Sequence, residues 1–218
     1  MAHTETAGHA PLHSHDHDHE HLTPGVPLEY ATEEGRLKIF GFWVFLGAEV
    51  VLFACLFATY LVLHHMTAGG PTSMDLFEVK GFTIETFLLL TSSFTCGLGV
   101  YEMRRNNSKG LMVWIIVTLL LGLGFVGMEI TEFVTYVKDG ATMQRSAFLS
   151  AFFTLVGTHG AHVSLGILWM SSILYQLWKR GITAVTARKV FVVGLYWHFL
   201  DLIWIFIFTV VYLTGKVM

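Results

Sequence analysis

Proline is scarce in this chain: only four occur in 218 residues, and all of them, Pro11, Pro24, Pro27 and Pro71, precede the second long apolar stretch. No predicted membrane helix therefore carries the break expected of discontinuous transporter helices, and no inverted repeat is evident, which disfavours that architecture. Charge is scarce too, at 13% of residues against 54% hydrophobic, with a mean hydropathy of +0.60. The connecting segments near 64–81, 102–110, 138–146 and 179–189 are too short to build a soluble core of their own. The two cysteines, Cys55 and Cys96, lie in apolar stretches rather than in an exposed pair or a CxxC, so neither a disulfide nor an iron–sulfur site is indicated. No Lys/Arg stripe remains that would neutralise a phosphate backbone, which excludes nucleic acid as a partner. The first 38 residues lack the order of a secretory signal, and the first apolar stretch is expected to stay as an anchor.

What the chain has instead is five apolar stretches, near 39–63, 82–101, 111–137, 147–178 and 190–213. Each is long enough to cross a hydrocarbon core of about 30 Å at about 1.5 Å per residue. The expected fold is all-α, a polytopic bundle of five transmembrane helices over residues 36–218, preceded by a tail at 1–35. With the N-terminus cytoplasmic, the inside carries nine basic residues (Arg36, Lys38, Arg104, Arg105, Lys109, Lys179, Arg180, Arg188, Lys189) and the outside four (Lys80, Lys138, Arg145, Lys216). The positive-inside rule then gives N-in and C-out. The tail run HSHDHDHEH, with His13, His15, His17, His19 and His21, has no hydrophobic anchor and is expected to be disordered. It offers loose metal binding at most, since a specific site needs fixed geometry.

Ionisable residues inside the spans mark where function is to be sought. A charge at the bilayer centre costs at least about 2.5–3.5 kcal/mol, so Glu49, His159, His162, His198 and Asp201 must each be compensated. Counting about 1.5 Å per residue from the inner ends puts Glu49 and His198 about 15 Å deep, with Asp201 a little beyond. His198 and Asp201 stand at i and i+3, where the carboxylate can accept from the imidazole. His159 and His162 repeat that spacing, with Gly166 extending the same face toward the Asp201 side of the fifth helix. Glu49 has no basic neighbour in its own helix, so it must be protonated, paired across helices or in a wet cavity. Its role stays open between a packing hydrogen bond and proton or lipid handling. Glu85, Glu129 and Glu132 sit nearer the outer boundary, where hydration of an interfacial helix end is expected. The pairs Ala54/Ala58 and Gly160/Ser164 and the run Thr91/Thr95/Gly99 place small side chains at close-packing intervals and read as helix contacts. The histidines read as structural; the rival is bis-His haem ligation between His162 and His198, as in a membrane anchor of a quinone-linked dehydrogenase. A proton or cation relay through Glu49 and Asp201 is the other alternative.

The stretches WVFLGAEVVLF, ETFLLLTSSFTCG, GTHGAHVSLG and YWHFLDLIWIF, in this order on four spans, resemble subunit III of the haem–copper terminal oxidases. The likeness runs from about Leu28 to the C-terminus. Carried over, Glu49 matches the family's membrane glutamate, and His159, His162, His198 and Asp201 match its polar core. The five-span form and the lead-in PLEYATEEGRLKIFGFW resemble bacterial quinol oxidase subunits, with a menaquinol enzyme of the Gram-positive type as the nearest guess. The longer family form has two further helices, whose wall of a lipid-filled cleft would here come from subunit I or subunit IV. The resemblance implies a subunit without a redox centre in the bacterial cell membrane. Its complex would oxidise quinol, reduce O₂ to water and move protons. The haems and copper would sit in subunit I, with subunits I, II and IV and bound phospholipids as partners. The implied work of this chain is to brace subunit I, hold lipid and sustain proton uptake.

Overall fold

The computed structural model describes residues 25–67 and 79–213, and among these every regular element is helical. A 3-10 turn, Leu28–Tyr30, leads into α1 (Glu33–Leu63), followed by α2 (Val79–Arg104), α3 (Ser108–Lys138), α4 (Ala147–Arg180) and α5 (Ala184–Ile207). The last helix continues into a wider π-helical turn, Phe208–Leu213. All five helices are long and apolar enough to span a bilayer.

Local chemistry sets most of the boundaries. Thr32, Asn107 and Ser146 each accept a backbone N–H of the first helical turn, and Thr183 with Thr186 forms a reciprocal capping pair at the start of α5. The turn between α2 and α3 passes through Asn106 at φ 57°, a left-handed conformation that asparagine tolerates better than most residues. Helix α4 stops at Gly181, at φ 66°. Most serine and threonine hydroxyls inside the spans return to carbonyls on their own helix, as Thr59 to Cys55 and Ser171 to Ile167 do, so they do not face lipid unsatisfied.

The helices begin earlier than the apolar stretches. α1 starts at Glu33 rather than near 39, because an amphipathic first turn, with Lys38 paired to Glu34, precedes the lipid-compatible run. The bundle also begins before position 36. Buried Glu29 accepts from Arg104 at 2.9 and 3.1 Å, and Tyr30 meets Phe191 edge-on at 5.5 Å, which ties the lead-in to α2 and α5. The His13–His21 segment lies outside the described residues.

Helices α4 and α5 form the centre. Of their apolar windows 56% and 67% are buried, against 17% for α1, which therefore lies on the rim. α1 touches the bundle along one narrow seam, Ile39, Leu46, Phe53 and Tyr60, seven residues apart. α5 is anchored by two indoles, also seven apart. Trp197 Nε1 donates to Ser92 Oγ at 3.0 Å, and Trp204 Nε1 donates to Thr86 Oγ1 at 3.1 Å, both on α2. Trp197 is wedged between Gly122 of α3 and Gly166 of α4; a Cβ at either would stand 2.8 or 3.1 Å from the ring.

The expected small-residue contacts divide. Thr95 and Gly99 face α3, with Thr95 to Thr118 at 2.9 Å and Gly99 against Leu111 and Trp114. Gly160 is buried against Glu129. Thr91, Ala54 and Ala58 are instead exposed and contact no other helix closely enough to be covered, since those turns lie on the outer faces of α2 and α1.

Candidate functional site

Glu49 on the rim helix and His162 on α4 meet across the α1–α4 seam. Glu49 Oε2 lies 3.2 Å from His162 Nε2, at ion-pair distance without the alignment of a hydrogen bond. Their side chains are only 13% and 17% exposed, so little solvent or lipid reaches the contact. Three helices hold His162. Its Nδ1 bonds Thr158 O at 2.7 Å, Tyr196 Oη of α5 donates to the His162 carbonyl at 3.1 Å, and Phe53 of α1 meets the ring edge-on at 5.3 Å. A carbonyl only accepts, so Nδ1 carries the hydrogen and a neutral ring turns an accepting Nε2 toward Glu49. The contact sets the Glu49 carboxyl against a ring nitrogen at a depth where an isolated charge is costly.

The four residues of the expected polar core do not form one cluster. His159 is fully buried and neither ring nitrogen has a hydrogen-bond partner among the described residues. It stacks on Trp204 at 5.3 Å and meets Phe125 and Phe53 edge-on at 6.0 and 6.4 Å, an aromatic cage rather than a polar site. His198 bonds Ser93 Oγ of α2 at 2.7 Å. Asp201 keeps Oδ1 without a hydrogen-bond partner among the described residues. The hydrogen bond expected within α5 is thus replaced by one between helices. A hydroxyl on a neighbouring helix competes for the imidazole, and spacing along a single helix cannot register it. The His159/His162 face and the Asp201 side chain likewise turn to different neighbours.

The outer carboxylates are more enclosed than their place along the chain suggests. Glu85 and Glu129 are 1% and 4% exposed, and Glu132 is half-buried and accepts from Tyr136. Glu85 Oε2 and Glu129 Oε1 have no hydrogen-bond partner among the described residues, and the three carboxyls lie within electrostatic reach of one another. The expectation of hydrated interfacial ends is corrected for Glu85 and Glu129. Depth along the helix was right to place them toward one end, but depth says nothing about which way a side chain faces.

Sequence reasoning missed Ser92, Ser93 and Thr86, the hydroxyls that receive the α5 rings, and the buried Glu29 that receives Arg104. The one available signal was Trp197 and Trp204 at i and i+7, since buried indoles need acceptors. Among the described residues, no three His, Cys, Asp or Glu side chains converge on a geometry that would hold a metal ion. His162 turns to α1 and His198 to α2, so the pair is not placed to grip a haem.

The model of the cytochrome c oxidase subunit III family matches residues 30–216. The chain is 61% identical over 189 residues to quinol oxidase subunit 3 of Bacillus subtilis (strain 168), covering 87% of this chain and 93% of that protein. It is 50% identical over 206 residues to cytochrome c oxidase subunit 3 of Bacillus sp. (strain PS3), covering 94% of this chain and 100% of that protein. It is also 50% identical over 191 residues to a probable quinol oxidase subunit 3 of Staphylococcus epidermidis, covering 87% of this chain and 95% of that protein.

Proposed function

The chain belongs to the cytochrome c oxidase subunit III family, and from that membership we propose how its intramembrane residues serve the complex it joins. It is subunit III of a quinol oxidase, a multi-pass protein of the bacterial plasma membrane, and in this family subunit III is a non-catalytic subunit of the oxidoreductase. Its own work is therefore mechanical and electrostatic. Glu49 and His162 clamp the rim helix α1 to the central α4, and that clamp keeps the α1 face in shape for lipid and for the neighbouring subunits. The observation that carries this reading is the 3.2 Å contact between Glu49 Oε2 and His162 Nε2 across an otherwise apolar seam.

Haems and copper belong to subunit I in this reading, and the histidines of this chain do not fit an axial pair. Subunits I, II and IV and phospholipids are its partners, with phospholipid along the broad exposed face of α1, where Trp43, Val44, Val51 and Val62 point outward. The N-terminus is cytoplasmic, the C-terminus outside, and menaquinol is the quinol. The sequence resemblance and the nine-to-four basic asymmetry support these assignments.

Purification of the native complex through a tag on this chain tests the reading. Other oxidase subunits and their haems should co-purify, and Glu49→Gln should assemble with full initial O₂ reduction while Glu49→Ala shortens the lifetime of turnover. Loss of O₂ reduction in Glu49→Gln, with assembly and haem content unchanged, would instead make Glu49 an obligatory proton carrier.

A further inference from the structure

The end of the bundle where α1 begins carries a surplus of positive charge. Arg104, Arg105 and Lys109 are exposed on and around the turn that joins α2 to α3, and Lys179 and Arg180 are exposed where α4 stops. Local carboxylates answer part of this charge. Arg104 donates to Glu29, Arg105 stands 3.7 Å from Glu102, and on α1 Arg36 pairs with Glu33 and Lys38 with Glu34. Lys109 forms no ion pair among the described residues. Residues 1–24 have the opposite composition, with four carboxylates at Glu5, Asp16, Asp18 and Glu20, seven histidines and no lysine or arginine. This segment enters the described chain at Gly25, four residues before the Glu29 that Arg104 holds. An extended chain covers about 3.3–3.6 Å per residue, so the carboxylates at 16–20 come within reach of the α2–α3 turn.

We infer that the acidic run at 16–20 docks on the basic turn at 104–109 of the same chain near neutral pH and leaves it in acid. One exposed ion pair contributes little, so several must act together. The covalent tether supplies the high local concentration that lets weak contacts add up. The anchoring of Glu29 by Arg104 roots that tether beside α2, which favours this turn over the one at the end of α4. The pH dependence follows from the alternation of residues in the segment. His13, His15, His17, His19 and His21 interleave with Asp16, Asp18 and Glu20, and an imidazole ordinarily titrates near about pH 6.5. Above that pH the segment is negative and is drawn to Arg104, Arg105 and Lys109. Below it seven imidazolium groups outnumber four carboxylates, the sign of the segment reverses, and attraction to the turn becomes repulsion. The basic residues and the flanking Glu29 and Glu102 complete the set of charges that face the segment there, and the arginines and the lysine keep their charge throughout this range.

Treatment of the purified complex with a water-soluble carbodiimide tests this, because the reagent joins a carboxylate to a lysine only where the two touch. The Glu34 and Lys38 pair on α1 serves as an internal standard. At about pH 7.5, mass spectrometry should find Asp16, Asp18 or Glu20 joined to Lys109, and at about pH 5.5 the abundance relative to the standard should fall at least several-fold. That fall runs against the reagent, which works better in acid. Added salt should lower the yield as well, since exposed charges are screened. A chain with His13, His15, His17, His19 and His21 all replaced by Asn should keep the crosslink at the lower pH. An unchanged ratio across the two pH values, or an equal fall in the Asn variant, would overturn the charge reversal. Crosslinks from the segment confined to Lys179 or to lysines of another subunit would overturn the docking place, as would none at all while the standard forms, the result expected if lipid headgroups cover the turn. If the Asn variant fails to accumulate, the two pH values measured on the native chain still decide.

Discussion

At the scale of single residues, the proton count on an imidazole decides what substitutions do. His162 commits its Nδ1 hydrogen to Thr158 O, so its Nε2 depends on Glu49 alone across the seam. Glu49→Gln supplies an amide N–H to that nitrogen and should be near neutral, whereas Glu49→Ala strands a buried acceptor at a cost of about 1–3 kcal/mol. Combining Glu49→Ala with His162→Ala should cost less than the sum of the two, and strictly additive losses in thermal stability of the purified complex would show that the groups do not interact. The same reasoning applies to Ser93 and His198, whose 2.7 Å bond predicts non-additive losses for Ser93→Ala and His198→Ala. The sequence singled out Glu49, His162, His198 and Asp201 as polar groups in need of compensation, and each has a distinctive environment. It could not say which neighbour compensates them, because that neighbour lies on another helix at an unrelated position in the chain.

Between elements, the tightest packing is around α5. The Trp197 indole fills the space left by Gly122 and Gly166, and a Cβ at Gly122 would stand 2.8 Å from it. Gly122→Ala must shift the ring or the helix and weaken the bond to Ser92, with overpacking of this kind costing about 1–3 kcal/mol. Gly47→Ala and Gly127→Ala, where nothing lies within 4 Å of the added carbon, should leave stability unchanged or slightly improved. Comparing the three midpoints of thermal unfolding separates ring displacement from a general effect of removing glycine. A lower midpoint for Gly47→Ala equal to that of Gly122→Ala would refute the wedge.

For the molecule as a whole, orientation and the absence of a chromophore are the exposed claims. Cysteines in place of Lys109 and Gln144, both exposed and at opposite ends of the bundle, should react with an impermeant maleimide from the cytoplasmic and the outer side respectively. The reverse labelling would invert the topology drawn from the basic residues. The isolated subunit should be colourless, because His159 is caged by aromatic rings and His162 and His198 turn to different helices. A stoichiometric haem spectrum that disappears with His162→Ala would favour the cytochrome-anchor alternative.

The sequence by itself determined the helix number, the span positions to within about two turns, the family and the short set of intramembrane polar residues. Those follow from lengths of apolar chain and from local motifs, which a bilayer reads one segment at a time. Only the tertiary structure decided directions. Glu129 sits inside against Gly160, Ala54 faces outward, and His159 rests on Trp204 while His162 reaches α1. Apart from α4, the spans are apolar around nearly their whole circumference, as lipid and a protein interior both permit, so the apolar pattern only weakly marks the face that packs. The contacts are instead selected by shape and hydrogen bonding between helices, a glycine facing an indole or a hydroxyl facing an imidazole, and those become defined only when the helices meet.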